Sequence, residues 1–81
     1  MMDIREAVLN RIWELCSKKD MSINRLAFWS AVPRSTVFRL MNGSTKNPGI
    51  VTIKMLCDGL DISITEFFDT DVFRNLEQEI K

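Results

Sequence analysis

Eighty-one residues are enough for one domain with a small core, and a hydrophobic content of 46% is too high for a disordered chain. Eleven basic and eleven acidic residues cancel to zero net charge, which by itself argues against a polyanion partner. The chain has no histidine and only two cysteines, far apart, so neither a zinc site nor a disulfide framework is expected.

The charges of Met1-Met2-Asp3-Ile4-Arg5-Glu6 are not followed by an apolar run, so the N-terminus does not read as a signal peptide. No stretch approaches the roughly 18–20 apolar residues of a membrane span. Cys16 and Cys57 therefore read as buried, reduced thiols of a cytoplasmic protein with no membrane, metal or cofactor partner.

Two prolines and three glycines punctuate little of the chain, and no alternating Val/Ile/Thr run is bounded by hairpin turns. The fold class predicted is all-α. The first helix runs from Ile4 to Lys18. Asp3 and Glu6 form its capping box, and Ile4, Val8, Ile12, Leu15 and Cys16 recur at helical spacing as a buried stripe. The second runs from Ile23 to Ser30 behind a Ser22 cap, with Leu26, Ala27 and Trp29 expected to face the core. The third begins near Pro33, which suits a first helical turn because its missing N–H is not needed there. Val37, Leu40 and Met41 form its apolar face, and Gly43 ends it in the left-handed conformation glycine permits.

The stretch from Ser44 to Gly49 is a loop by composition. The fourth helix, Ile50 to Gly59, is expected to bury Ile50, Ile53, Leu56 and Cys57. Ser63 and Glu66 form a capping box that opens a short fifth helix through Phe67 and Phe68. Asp71 to Lys81 carries Val72, Phe73, Leu76 and Ile80 at helical spacing and is expected to form a sixth. Trp13, Trp29, Met21, Met41 and Met55 are expected in or near the core.

The zero net charge hides a strong segregation. Residues 21–57 hold Arg25, Arg34, Arg39, Lys46 and Lys54 and no acid, whereas residues 58–81 carry a net charge of −5. Such a division suggests one face for a polyanion and another turned elsewhere. The acid-free window contains two short helices joined by a tight turn. The second of them opens on small polar and basic residues, Arg34-Ser35-Thr36, and stops at Asn42-Gly43. A helix that enters the DNA major groove by its N-terminal end is written in this way, because base edges there offer donors and acceptors that Arg and Ser can pair with.

The ordered pattern Ser22, Leu26-Ala27, Val32-Pro33, Ser35-Thr36-Val37, Asn42-Gly43, Lys46-Asn47-Pro48, Leu60, Ile62-Ser63 and Glu66-Phe67-Phe68 resembles the lambda-repressor-like, Cro/repressor type of helix-turn-helix regulator. The resemblance covers about residues 7–68. It implies a compact five-helix bundle over residues 1–70 whose second and third helices form the motif, with residues 71–81 as an extra C-terminal helix. It also implies a sequence-specific transcriptional regulator of duplex DNA, with Arg34, Ser35 and Arg39 at base-reading positions. Phe38 stands where a polar residue is commoner and is a further candidate for base contact, at a thymine methyl. Thr36, the Ser22 cap, Asn42, Lys46 and Asn47 fall where such proteins meet phosphates. Ala31 replaces the usual turn glycine, at a cost of about 1–2 kcal/mol if the turn keeps its left-handed residue. Pro33 replaces the usual side-chain cap of the third helix.

Catalysis finds no support, since the chain lacks histidine, a glycine-rich phosphate loop and a nucleophile elbow. The rival reading is a protein-interaction module on the same fold, kept open by Phe28, Phe38 and the neutral overall charge. The stripe Val72, Phe73, Leu76 and Ile80 has two readings. It covers the first helix of its own chain, or it forms a homodimer interface suited to two-fold related DNA sites.

Overall fold

The computed structural model describes residues 2–80, and within them the chain forms six helices and no strand: α1 (Ile4–Lys18), α2 (Ile23–Ser30), α3 (Arg34–Met41), α4 (Ile50–Gly59), α5 (Ile64–Phe68) and α6 (Asp71–Arg74). No helix among the described residues is long and apolar enough to cross a membrane.

Side-chain caps set four of the starts, those of α1, α2 and α5 at short distances and that of α6 as described below. Asp3 accepts from the Glu6 backbone N–H at 2.9 Å, Ser22 Oγ from Arg25 at 3.1 Å and Ser63 Oγ from Glu66 at 2.9 Å. Each satisfies an amide donor that the helix itself leaves orphaned. The Glu6 N–H, helped by the neighbouring Arg5 guanidinium, holds the Asp3 carboxyl below its usual range. The lowered carboxyl stays ionised at neutral pH, and its contribution is lost only as pH falls through that value.

The helix ends repeat one device. At the end of α1, Met21 N–H donates to Cys16 O (2.9 Å) and Asp20 N–H to Ser17 O (3.3 Å), with Asp20 left-handed at φ 52°. At the end of α4, Ile62 N–H donates to Cys57 O (3.0 Å) and Asp61 N–H to Asp58 O (3.1 Å), with Asp61 at φ 58°. Both are Schellman motifs, in which a left-handed residue turns two amides back onto orphan carbonyls. In each, the next residue after the hydrophobic one is the serine that caps the following helix. Cys16–Ser22 and Cys57–Ser63 are thus the same helix-to-helix junction used twice. α3 ends likewise, with Gly43 at φ 83° and Ser44 N–H donating to Arg39 O at 3.0 Å.

The core is built from Val8, Ile12, Leu15 and Cys16 of α1, Leu26 and Ala27 of α2, Val37, Leu40 and Met41 of α3, Ile53, Leu56 and Cys57 of α4, together with Leu60 and Phe67. α2 packs most extensively on α4 and next on α3. The α2–α4 crossing is close enough that a Cβ on Gly59 would lie 2.9 Å from the Ser30 backbone nitrogen. The Ser30 hydroxyl is buried there with no hydrogen-bond partner among the described residues.

Three aromatic or aliphatic placements differ from the sequence reading. Trp29 is 59% exposed, because α2 buries Leu26, Ala27 and Ser30, and Trp29 lies outside that arc. Trp13 is likewise exposed and lines a surface groove with Met21 and Ile23. Ile50 is exposed because it is the first residue of α4 and lines depressions at the open rim facing Phe68. Met41 is buried, while Met21 and Met55 are half-buried against the core.

The sixth helix is a single turn and does not extend over residues 71–81, of which Lys81 lies outside the described residues. Thr70 caps it, accepting from Phe73 N–H at 3.4 Å. Phe73 then turns inward, with its ring centroid 4.9 Å from Phe68 and 6.1 Å from Phe67. Beyond Asn75 the backbone leaves the helix, and Glu77 N–H donates to Met2 O at 3.1 Å. Glu77 and Glu79 would have placed negative charge at the carbonyl end of a longer helix, which the helix dipole disfavours. A segment this short has little helicity of its own to resist such pulls. The apolar stripe is accordingly divided: Phe73 and Leu76 are half-buried, whereas Val72 and Ile80 are exposed.

At the turn between α2 and α3, Ala31 adopts φ 56° and ψ 26°. Ala31→Gly is expected to raise stability by about 0.5–1 kcal/mol. It relieves about 1–2 kcal/mol of left-handed strain and gives back part of that as unfolded-chain entropy. Thermal unfolding checks this, and an unchanged or lower midpoint would show that the alanine is not strained.

Candidate nucleic-acid interface

The α2–turn–α3 unit is held from inside. Val32 in the turn is buried, and Val37, Leu40 and Met41 fix the inner face of α3. Pro33 starts α3 without a side-chain cap, and its carbonyl accepts from Thr36 N–H (2.9 Å) and Val37 N–H (3.1 Å). With the inner face committed, Arg34, Ser35, Phe38 and Arg39 are left exposed together on the outer side of α3, and Thr36 is half-buried at its edge.

Arg34 lies over the Phe38 ring, with its guanidinium carbon 5.4 Å from the ring centroid. One helical turn separates the two, the spacing at which side chains on a helix meet. Arg34, Arg39, Arg25 and Lys46 make no salt bridge among the described residues, whereas Lys54 is paired with Asp58 across one turn of α4. The acid-free segment therefore presents four cations that are not engaged in a salt bridge among the described residues.

The remaining sequence-predicted residues flank this face. The Ser22 oxygen is occupied as the cap of α2, while its hydroxyl proton stays available to donate. Asn42 Oδ1 accepts from Ser44 N–H at 2.9 Å, which shapes the loop after α3; its amide N–H groups make no bond among the described residues. Lys46 and Asn47 are exposed on that loop. Lys46 shares a surface groove with Arg5 but also with Asp3 and Glu6, so its field is partly offset.

Arg25 was not singled out from sequence as a site candidate, whereas Phe28 was, for a protein contact. Arg25 is exposed on the first turn of α2, and its signal was its place beside the Ser22 cap. Phe28 is 73% exposed and meets Trp29 edge-on at 5.5 Å between ring centroids, an apolar pair on the surface of α2. Val72 and Ile80, at the other end of the chain, are not part of the α2–α3 face. Among the described residues no three Cys, Asp or Glu side chains come together as a metal site.

Residues 11–71 match the profile of the Cro/C1-type HTH DNA-binding domain. The chain is also similar to a solved structure, prophage Lp1 protein 11, with a TM-score of 0.81 and 33% sequence identity, covering 94% of this chain and 100% of that one. No curated protein matches the chain significantly.

Proposed function

Because the chain belongs to the Cro/C1-type HTH DNA-binding domain family, we propose that it is a sequence-specific transcriptional regulator that lays α3 in the major groove of duplex DNA. The observation that carries this reading is the outer face of α3, where Arg34, Ser35, Phe38 and Arg39 are exposed and both arginines lack a salt bridge among the described residues. Arg34 and Arg39 can donate two parallel bonds to guanine O6 and N7, and Ser35 can serve either a donor or an acceptor edge. Phe38 offers only apolar contact. Ser22, Thr36, Asn42, Lys46 and Asn47 contact phosphates on either side and set the register of α3, without reading sequence themselves. Arg25 joins them on the same grounds. On this reading the chain acts in the cytoplasm.

The test is selection from a random duplex pool at two salt concentrations. An enriched motif supports the regulator, and no retention at low salt rejects it. On the selected site, Arg34→Ala is expected to cost about 2 kcal/mol and to relax preference at one or two positions. Unchanged specificity would remove Arg34 from the reading set. Lys46→Ala is expected to weaken all sequences alike and to reduce the salt slope by about 0.9 per protomer.

A single recognition helix buries limited DNA surface, so the regulator works as a homodimer on two-fold related half-sites. Of the C-terminal stripe, Val72 and Ile80 are the members with exposed surface to give to a partner, while Phe73 and Leu76 are half-buried. Sedimentation as a monomer at tens of micromolar would reject this. The second reading, a protein-interaction module, is favoured by the exposed Phe28–Trp29 pair. Such a module would retain no duplex DNA in the same selection.

A further inference from the structure

We propose that Arg34 and Phe38 act as one composite reader, recognising a guanine whose adjoining base pair carries a thymine methyl. This rests on the reading of α3 as the groove-facing helix and names the base step that it selects. The cation–π contact already exists without DNA, with the guanidinium carbon over the ring at 5.4 Å from its centroid. Phe38 is 42% exposed on a face otherwise made of Arg34, Ser35 and Arg39. Phe38 is not one of the residues that build the hydrophobic core.

The geometry of the duplex supplies the reason for the pair. An arginine fork on guanine O6 and N7 lies near the plane of that base. A ring whose centroid is 5.4 Å from the guanidinium carbon can reach beyond that plane to the next base pair, since successive pairs are about 3.4 Å apart along the axis. The one apolar group a base pair offers in the major groove is the thymine methyl. Over cytosine or a purine the ring would desolvate polar edges without giving a hydrogen bond in return. Stacking on Phe38 also restrains the Arg34 fork before binding, so less rotamer freedom is lost when guanine is engaged.

The experiment uses the full chain and the duplex enriched from the random pool. The enriched motif should contain a guanine beside a thymine-bearing pair. Replacing that thymine by uracil removes only the methyl and should weaken binding by about fourfold per site, the worth of one buried methyl group. Phe38→Gln, at an exposed position, should bind the thymine and uracil duplexes equally, with folding verified by circular dichroism. A motif without that step, equal affinity of the native chain for both duplexes, or retained discrimination in Phe38→Gln would each overturn the proposal. The uracil measurement needs no variant, so it decides the matter even if Phe38→Gln unfolds. Selective binding that ignores the methyl leaves the regulator reading intact and sinks only the composite reader. Absence of any duplex binding sinks both.

Discussion

Gly59→Ala is expected to lower stability by about 3 kcal/mol, the upper part of the range for forcing an extra carbon into a packed interior. A Cβ at this position would lie 2.1 Å from Ser30 Oγ, 2.9 Å from Ser30 N and 3.0 Å from Ser30 Cα. The hydroxyl can rotate away, but the backbone of α2 cannot move without shifting the whole helix against α4. Helix propensity works in the opposite direction. Gly59 is the last residue of α4 and has no positive φ, so alanine should gain up to about 1 kcal/mol if the site were open. The sign of the effect therefore separates the two accounts. At about 4–8 °C per kcal/mol for a domain of this size, the thermal midpoint should fall by more than 10 °C. Ser30→Ala in the Gly59→Ala background should restore only part of the loss, because two of the three close atoms are backbone. On its own, Ser30→Ala should be neutral or stabilising, since it removes a buried hydroxyl without a partner. Undiminished stability in Gly59→Ala would mean that α2 and α4 do not pack as closely as described.

Arg11→Met should cost a comparable amount, about 3 kcal/mol, although it preserves the aliphatic stem. Arg11 Nε donates to Phe67 O at 2.8 Å and Nη2 donates to Glu66 O at 2.9 Å, while Nη1 pairs with Glu14. Its side chain is 10% exposed. A helix leaves its last carbonyls without partners, and α5 is too short to draw on its own turns for them. Arg11 supplies what a C-terminal glycine motif supplies elsewhere in the chain, and charged donors make the stronger hydrogen bonds. Removing it also strands the part-buried Phe67 carbonyl, whereas Glu66 O keeps the Asp69 N–H at 3.3 Å. Arg11→Lys should recover part of the loss, since one ammonium group does not match two carbonyls as the planar fork does. Denaturant unfolding measures both. Equal stability of Arg11→Met and the native chain would show that water caps α5 equally well.

The extent to which sequence disclosed this arrangement follows from how local each cause is. The start of α1, the start of α2, the end of α3 and the start of α5 were readable because caps and stops lie within a few residues of what they control: Asp3, Ser22, Gly43 and Ser63 each act on an adjacent turn. The exposed set on α3 was readable as the complement of Val37, Leu40 and Met41. Causes that reach across the chain left no such trace. Nothing near Arg11 points to Phe67, and nothing near Gly59 points to Ser30. Trp29 was assigned to the core by its hydrophobicity where its helical phase places it outside. The C-terminal stripe was regular enough for a long helix, but the aromatic packing of Phe73 and the bond from Glu77 to Met2 ended that helix after one turn.

The repeated junction has a kinetic consequence. Each copy begins with a cysteine, and both thiols are free and buried. Burial also pushes both above the ordinary thiol range, so the reactive thiolate is scarce as well as shielded. A soluble thiol reagent can then modify the folded chain only through transient opening, and its rate reads the free energy of that opening. Cys16 reports openings that expose the end of α1, and Cys57 openings that expose the end of α4. Equal modification rates at the two would mean that the bundle opens as one unit. Faster loss of the Cys16 thiol would mean that α1 detaches first, while the α2–α3 face and its support from α4 persist without it.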